Sequence, residues 1–327
     1  MKVWRRWLVY ALAALLAVAA IAAWLVVQPT WTSAGASGAP PALQAALRKH
    51  VHRLAIDFAP RVHTNLTQLN KASAYIESEL RTTSAKVTVQ RYAVTGRNFQ
   101  NLIAQFGPDT DDVIVVGAHY DVADIQPGAD DNASGVAGLI ELARALSNAK
   151  LKQRVELVAY TLEEPPYFRT ANMGSAIHAK SLKANGKRVS LMLSLECIGY
   201  FSDEPNSQQL LTPLMKAVYP TTGNFIALVG NYAEGDLSRR VKRSMQQATS
   251  LPVYSINAPS ILQGIDFSDH LSYWNEGFVG MMVTDTAFFR NEAYHTEDDT
   301  PDRLDYKRMA DVVVAVTKTV LAEAVQQ

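Results

Sequence analysis

The residues best suited to chemistry cluster between Ala118 and Gly138, in the stretch AHYDVADIQPGADDNASGVAG. An apolar run, Val113 to Ala118, leads into His119-Tyr-Asp121. A polar loop then reaches Gly128-Ala-Asp130-Asp131-Asn132-Ala-Ser134-Gly135. Beyond it Val136, Leu139, Ile140, Ala143 and Leu146 recur at helical spacing. A buried strand therefore ends in an imidazole, and a helix begins just after two carboxylates. Buried charges need a partner, and a metal ion is the simplest partner for a histidine among carboxylates. Further polar clusters follow other apolar runs: Glu163-Glu164, Glu196, and Tyr294-His295-Thr-Glu-Asp-Asp-Thr-Pro301.

Two histidines with several carboxylates suit zinc or a similar divalent ion. No thiolate is required, which fits a chain with a single cysteine, Cys197. Two imidazoles and three carboxylates fill two adjacent metal sites if one carboxylate bridges. Such ions lie about 3.5–4 Å apart, share a water, and polarise a substrate carbonyl. A carboxylate beside that water, free of metal, is still needed to move its proton. A Glu-Glu pair at a strand end offers one side chain for each task.

The elements that must position these groups alternate along the chain. Strands are expected at Lys86–Tyr92, Asn101–Phe106, Val113–Ala118, Val155–Leu162, Val189–Leu195, Asn224–Val229, Val253–Ile256 and Val279–Val283. Helices are expected at Pro41–Leu54, Leu66–Leu80, from near Asn132, at Asn172–Lys183, Asp236–Thr249 and Pro301–Ala324. Prolines 165 and 166 stop the fourth strand just after the glutamates. The pattern predicts an α/β fold with a mixed, largely parallel central sheet between helices. Ligands of such sheets bind at the carboxyl ends of the strands, where these polar clusters fall or in the loops just beyond.

The 327 residues carry 31 basic and 31 acidic side chains, and no long basic run argues for a nucleic-acid partner. Residues 1–6 are basic, and Trp7 to Val27 is an uncharged apolar run of bilayer-spanning length. Positive charge only on the N-terminal flank predicts a cytoplasmic stub at 1–6, a transmembrane anchor at 7–27 and an extracytoplasmic remainder. Residues 28–40 read as a linker and 41–327 as one catalytic domain. The rival reading is a cleaved signal peptide with Ala34-Gly-Ala36 as its site; the apolar run is long for that. Oligomeric state leaves no sequence signal.

Five ordered pieces then resemble a known family: HYD at His119, GADDNASG at Gly128, EE at Glu163, ECIGY at Glu196 and YHTEDDTPDRLD at Tyr294. From about residue 42 onward the chain resembles the co-catalytic di-zinc aminopeptidases. That family also contains glutamate carboxypeptidase, glutaminyl cyclase and the transferrin receptor ectodomain. The resemblance implies a three-layer zinc-peptidase fold and two zinc ions. It implies Asp131 as the bridge, His119 and Glu196 at one ion, and Glu164 and His295 at the other. It makes Glu163 the general base and Asp121 the residue that orients His119. Glu196 departs from the family pattern, where aspartate is common.

Three functions follow from the resemblance. The first is a membrane-anchored exopeptidase that removes N-terminal residues from peptides. The second is a single-zinc cyclase acting on N-terminal glutamine, and the third a non-catalytic ectodomain. Outside the ligand set, Asp130 and Asn132 read as helix caps. Asp269 and His270 lean towards a pocket or supporting role. Glu297, Asp298 and Asp299 read as a solvated turn, and Cys197 as a packed residue without a histidine partner. Tyr167, Phe168, Tyr200, Phe201 and Tyr294 either shape a substrate pocket or belong to the core. Arg169 either binds a carboxylate or pairs with an acidic neighbour.

Overall fold

The computed structural model describes residues 2–36 and 38–325. Met1 of the expected stub, Ser37 of the expected linker and residues 326–327 lie outside the described residues. The strands are β1 (Lys86–Val94), β2 (Arg97–Phe106), β3 (Asp112–His119), β4 (Arg154–Tyr160), β5 (Arg188–Glu196), β6 (Ile226–Gly230), β7 (Val253–Asn257) and β8 (Met281–Thr284). The helices are α1 (Lys2–Val27), α2 (Pro41–His52), α3 (Leu66–Leu80), α4 (Gly135–Leu146), α5 (Gly174–Ala184), α6 (Gly235–Ala248), α7 (His270–Asn275) and α8 (Tyr306–Val325).

All the strands join one sheet in the order β1-β2-β4-β3-β5-β8-β6-β7. The inner strands β4, β3, β5 and β8 run parallel. The β1–β2 hairpin adds antiparallel to β4, and the parallel pair β6–β7 adds antiparallel to β8. This is the mixed, largely parallel sheet between helices that the alternation predicts. Its cause is visible in β3, whose apolar residues are fully buried on both faces. Ile114 and Val116 face the core shared with α2, α3, α4, α6 and α8. Val113 and Val115 face α5 and α7.

Register then fixes the site. Gly117 pairs with Ser194 in parallel, so His119 and Glu196, two residues further along each strand, emerge at one level. His119 pairs with Tyr160, which puts Glu163 and Glu164 just past the end of β4. Gly117 has no room for a side chain: a Cβ there would lie 2.1 Å from Cε2 of Tyr160. The Tyr160 hydroxyl in turn meets that of Tyr273 on α7 at 2.7 Å.

Most helix boundaries of the domain fall within two residues of expectation, but the starts of α4 and α8 are displaced further. The last helix does not run from Pro301. A short 3-10 turn at Pro301–Arg303 ends in extended Leu304, and α8 starts at Tyr306. Asp305 is the reason, because its Oδ1 accepts the amides of Lys307 and Arg308 and so caps α8. The helix expected near Asn132 starts at Gly135 instead. Asp131 and Asn132 keep non-helical dihedrals inside the irregular turn Ala129–Ser134.

Within α1, Trp4–Val27 is long and apolar enough to cross a membrane, and its last residue meets the body, where Ser255 Oγ donates to Val27 O at 2.7 Å. The segment read as a linker is docked rather than free. Gln28 is buried, and Thr30 Oγ1 donates to Gln246 Oε1 at 2.7 Å. The amide of Gly35 donates to Gln246 O at 2.8 Å. Lys242 Nζ on α6 donates to the carbonyls of Val27 and Gln28, at 3.0 and 3.2 Å.

Candidate metal centre

His119, Asp131, Glu163, Glu164 and Glu196 are buried and His295 is exposed, and all converge above the carboxyl ends of β3, β4 and β5. Three non-glycine residues beside them hold positive φ: Leu162 (62°), Cys197 (49°) and His295 (58°). L-residues resist this conformation, and such strain collects at functional sites. Here it turns the chain sharply at or next to Glu163, Glu196 and His295.

The donor atoms form three overlapping groups; two share Asp131, and the third joins His119, Glu163 and Glu164. His119 Nε2 lies 3.3 Å from Asp131 Oδ1 and 3.3 Å from Glu196 Oε2. His295 Nε2 lies 2.9 Å from Asp131 Oδ2 and 3.4 Å from Glu164 Oε2. A tetrahedral zinc with bonds of about 2.0–2.1 Å separates its ligands by about 3.3–3.4 Å. Asp131 Oδ1 and Glu164 Oε1 are buried without a hydrogen-bond partner. The donor set, its spacing and these orphaned oxygens fit a divalent metal. Glu163 stands further off, its Oε2 3.9 Å from His119 Nε2.

Electrostatics follow from this crowding. Burial would raise the Asp131 carboxyl, but the two imidazoles it faces hold it below the ordinary range. Burial pushes Glu163 well up, and the charges of Glu196, Glu164 and Asp269 add to the shift. Burial and Asp131 raise Glu164 to about 7.

A pocket of about 750 Å³, its open mouth included, lies over these groups and is lined by Phe168, Phe267, Phe288 and Tyr294 besides the donors. It shares Glu196, Phe267, Phe288 and Tyr294 with an apolar cleft of about 860 Å³ that runs on past Phe225, Tyr254 and Met282. Of the aromatics in question, Phe168 and Tyr294 face the pocket. Phe201 packs under Arg290 and Arg308, and Tyr167 packs on His63 and Phe99.

Residues 101–320 match peptidase family M28. The chain belongs to that family. The M28 chain is 45% identical over 294 residues to the uncharacterized protein YfbL of Escherichia coli K12, covering 88% of this chain and 90% of YfbL. Its fold is similar to a zinc aminopeptidase from Bacillus subtilis, with a TM-score of 0.69, 14% identity, and 87% and 95% of the two chains covered. It is also similar to a Bacteroides thetaiotaomicron glutaminyl cyclase, with a TM-score of 0.64, 18% identity, and 88% and 99% covered.

Several supporting residues of the M28 chain carry no sequence signal or a misleading one. Asp299, read as part of a solvated turn, is fully buried, and its two oxygens accept the amides of Asp130 and Asp131 at 2.9 and 3.1 Å. Asn132 does more than cap α4. Its Oδ1 accepts from Gly135 and Cys197, and its Nδ2 donates to Leu195 O. These bonds tie the Asp131 turn to the end of β5. Asp130 is no helix cap; it accepts the amide of Gly199 at 2.9 Å and Asn291 Nδ2 at 3.2 Å.

Asp121 lies 3.6 Å from His119 Nδ1 and also accepts the amides of Glu163 and Glu164. It therefore braces both ligand-bearing strand ends. Asp269 is fully buried, and among the described residues neither of its oxygens has a hydrogen-bond partner. The contact to a candidate ligand comes from the next residue back, where Ser268 Oγ donates to Glu196 Oε2 at 2.7 Å. Arg169 pairs with Asp266 at the pocket rim.

His270 takes no part in the pocket. It is fully buried, Nε2–H donates to Ile265 O at 2.8 Å, and the ring packs edge-on against Trp274. Burial lowers its pKa to about 4. The unfolded chain thus binds a proton between about pH 6.5 and 4 that the folded chain refuses, so stability falls as pH drops through that window. At most about 3 kcal/mol is at stake. Denaturant titrations of wild type and His270→Phe between pH 7 and 4 test this: the variant should lose that part of the slope. Equal slopes would place the acid sensitivity elsewhere.

Proposed function

We propose that this M28 chain is a membrane-anchored zinc aminopeptidase that hydrolyses the first peptide bond of peptides with a bulky apolar N-terminal residue. The supporting observation is that two donor groups share Asp131, with the Glu163 carboxylate beside them, 3.9 Å from His119 Nε2. His119 and Glu196 would hold one ion, Glu164 and His295 the other, and Asp131 both. Zinc, when bound, supplies a Lewis acid for the scissile carbonyl and makes water a nucleophile near neutral pH.

Glu163 takes the proton from the attacking water and returns it to the leaving amine. The raised affinity of its carboxylate for protons suits both halves of that task. The apolar cleft beside Glu196 accepts the first side chain of the substrate. The docked segment 28–35 supports a retained anchor, since cleavage after Ala36 would strip the buried Lys242 ammonium of its Val27 and Gln28 acceptors. With the basic flank inside, the catalytic domain lies outside the cytoplasm.

The test is a panel of N-terminal Leu, Phe, Gly and Gln peptides on the full-length chain in detergent, with metal analysis of the same sample. Leu and Phe peptides should be cleaved roughly tenfold or more faster than Gly peptides. Ammonia release from the Gln peptide without cleavage would favour cyclisation. A metal-free, inactive protein after gentle purification would favour the non-catalytic reading.

A further inference from the structure

Arg61 has no place in the chemistry above, yet it is among the largest fully buried side chains. Among the described residues its guanidinium touches no carboxylate oxygen within hydrogen-bond distance. Instead it spends four hydrogen bonds on backbone carbonyls: Nε to Tyr120 O (2.9 Å), Nη1 to Leu54 O (2.6 Å) and Pro127 O (2.8 Å), and Nη2 to Gly128 O (2.9 Å). Three of these carbonyls belong to one loop. Tyr120 directly follows His119, and Pro127 and Gly128 precede Asp131 by a few residues. One rigid fork thus pins both ends of the loop that separates the two candidate ligands.

The loop has little slack around this fork. Gly128 holds φ +61°, and a Cβ there would lie 2.3 Å from Asp131 O, 2.4 Å from Val122 Cγ1 and 3.0 Å from Arg61 Nη2. The amide of Val122 returns a hydrogen bond to Arg61 O at 3.3 Å. From the other side Asp299 holds the loop's donors, taking the amides of Asp130 and Asp131. Arg61 therefore fixes the carbonyl side of the segment and Asp299 the amide side. Because its partners are neutral, the Arg61 charge is not consumed by an ion pair. Asp299, Asp121, Asp131 and Glu164 all lie close enough to feel it.

We propose that Arg61 is a positioning residue that presets His119 and Asp131 for metal. It holds the intervening loop at both ends and sets a fixed positive charge behind an acidic site. This rests on the reading of the site as a metal centre. Without the fork the loop would have to be ordered by the metal itself, and that cost would appear as lost affinity.

The test compares full-length wild type, Arg61→Met and Arg61→Lys in detergent. Each is stripped with a chelator and titrated with zinc against a chromogenic competitor. Arg61→Met should bind zinc about 10- to 100-fold more weakly, the range typical when an outer partner of a ligand is removed. Arg61→Lys keeps the charge but not the fork, and should fall between Met and wild type. The gain in melting temperature on adding zinc should shrink in the same order. A merely structural arginine would lower the melting temperature of the metal-free protein and leave zinc affinity unchanged; affinities within twofold of wild type would overturn the proposal. If Arg61→Met does not fold, Arg61→Lys decides alone by the same criterion. A wild type that takes up no zinc would instead overturn the metal-centre reading, and this proposal with it.

Discussion

Glu163→Gln should reduce peptide hydrolysis by about 10²- to 10⁴-fold, the usual contribution of a general base, while leaving bound metal and KM nearly unchanged. Gln has the size of Glu but cannot take up the water's proton. Glu163 is suited to the role by where it stands: buried, and 3.9 Å from His119 Nε2, whereas the Asp131 and Glu196 oxygens approach that nitrogen to 3.3 Å. Its neighbours Glu196, Glu164 and Asp269 make the proton easier to accept. Substrate turnover and metal content measured on one preparation separate the outcomes. Full activity in the variant would remove Glu163 from the mechanism, and loss of metal would make it a ligand instead.

Asp131→Asn should have the broadest effect, because one side chain serves both donor groups. Each oxygen faces a different imidazole, Oδ1 towards His119 and Oδ2 towards His295. Asparagine replaces one of those oxygens with an amide nitrogen, which has no free lone pair to coordinate, and removes the charge that would offset two cations. Metal analysis should therefore show both ions lost and hydrolysis abolished. Glu196→Gln, which alters only one donor group, should cost one ion. If Asp131→Asn keeps the metal content of wild type, the bridge is assigned to the wrong residue.

Much of this site is legible in the sequence for a local reason. Apolar runs such as Val113 to Ala118 mark buried strands, and a polar residue at the end of such a run must sit at the edge of the sheet. His119, Glu163, Glu164 and Glu196 all follow runs of this kind, and the structure brings them together with Asp131 and His295. The supporting shell is not legible in the same way. Asp299 lies in the acidic run Glu297-Asp298-Asp299, whose composition reads as solvated, and only its burial against the Asp130 and Asp131 amides reveals its task. Arg61 is followed by no apolar period that would mark it, and its acceptors are carbonyls, which any residue supplies. Segment 28–36 has linker composition, yet its Gln28 carbonyl, together with that of Val27 at the end of α1, accepts from a buried lysine.

The sequence by itself determined the α/β alternation, the apolar N-terminal helix, and the side chains whose types suit metal and proton chemistry. Those depend on periodicity and residue type, which are properties of a few neighbouring positions. Only the tertiary structure decided that His119 and Glu196 emerge at one level, that Asp131 faces two imidazoles, and that Arg61 and Asp299 hold the loop from opposite sides. These depend on strand register and on which buried backbone groups find partners across the chain, and no local pattern encodes that.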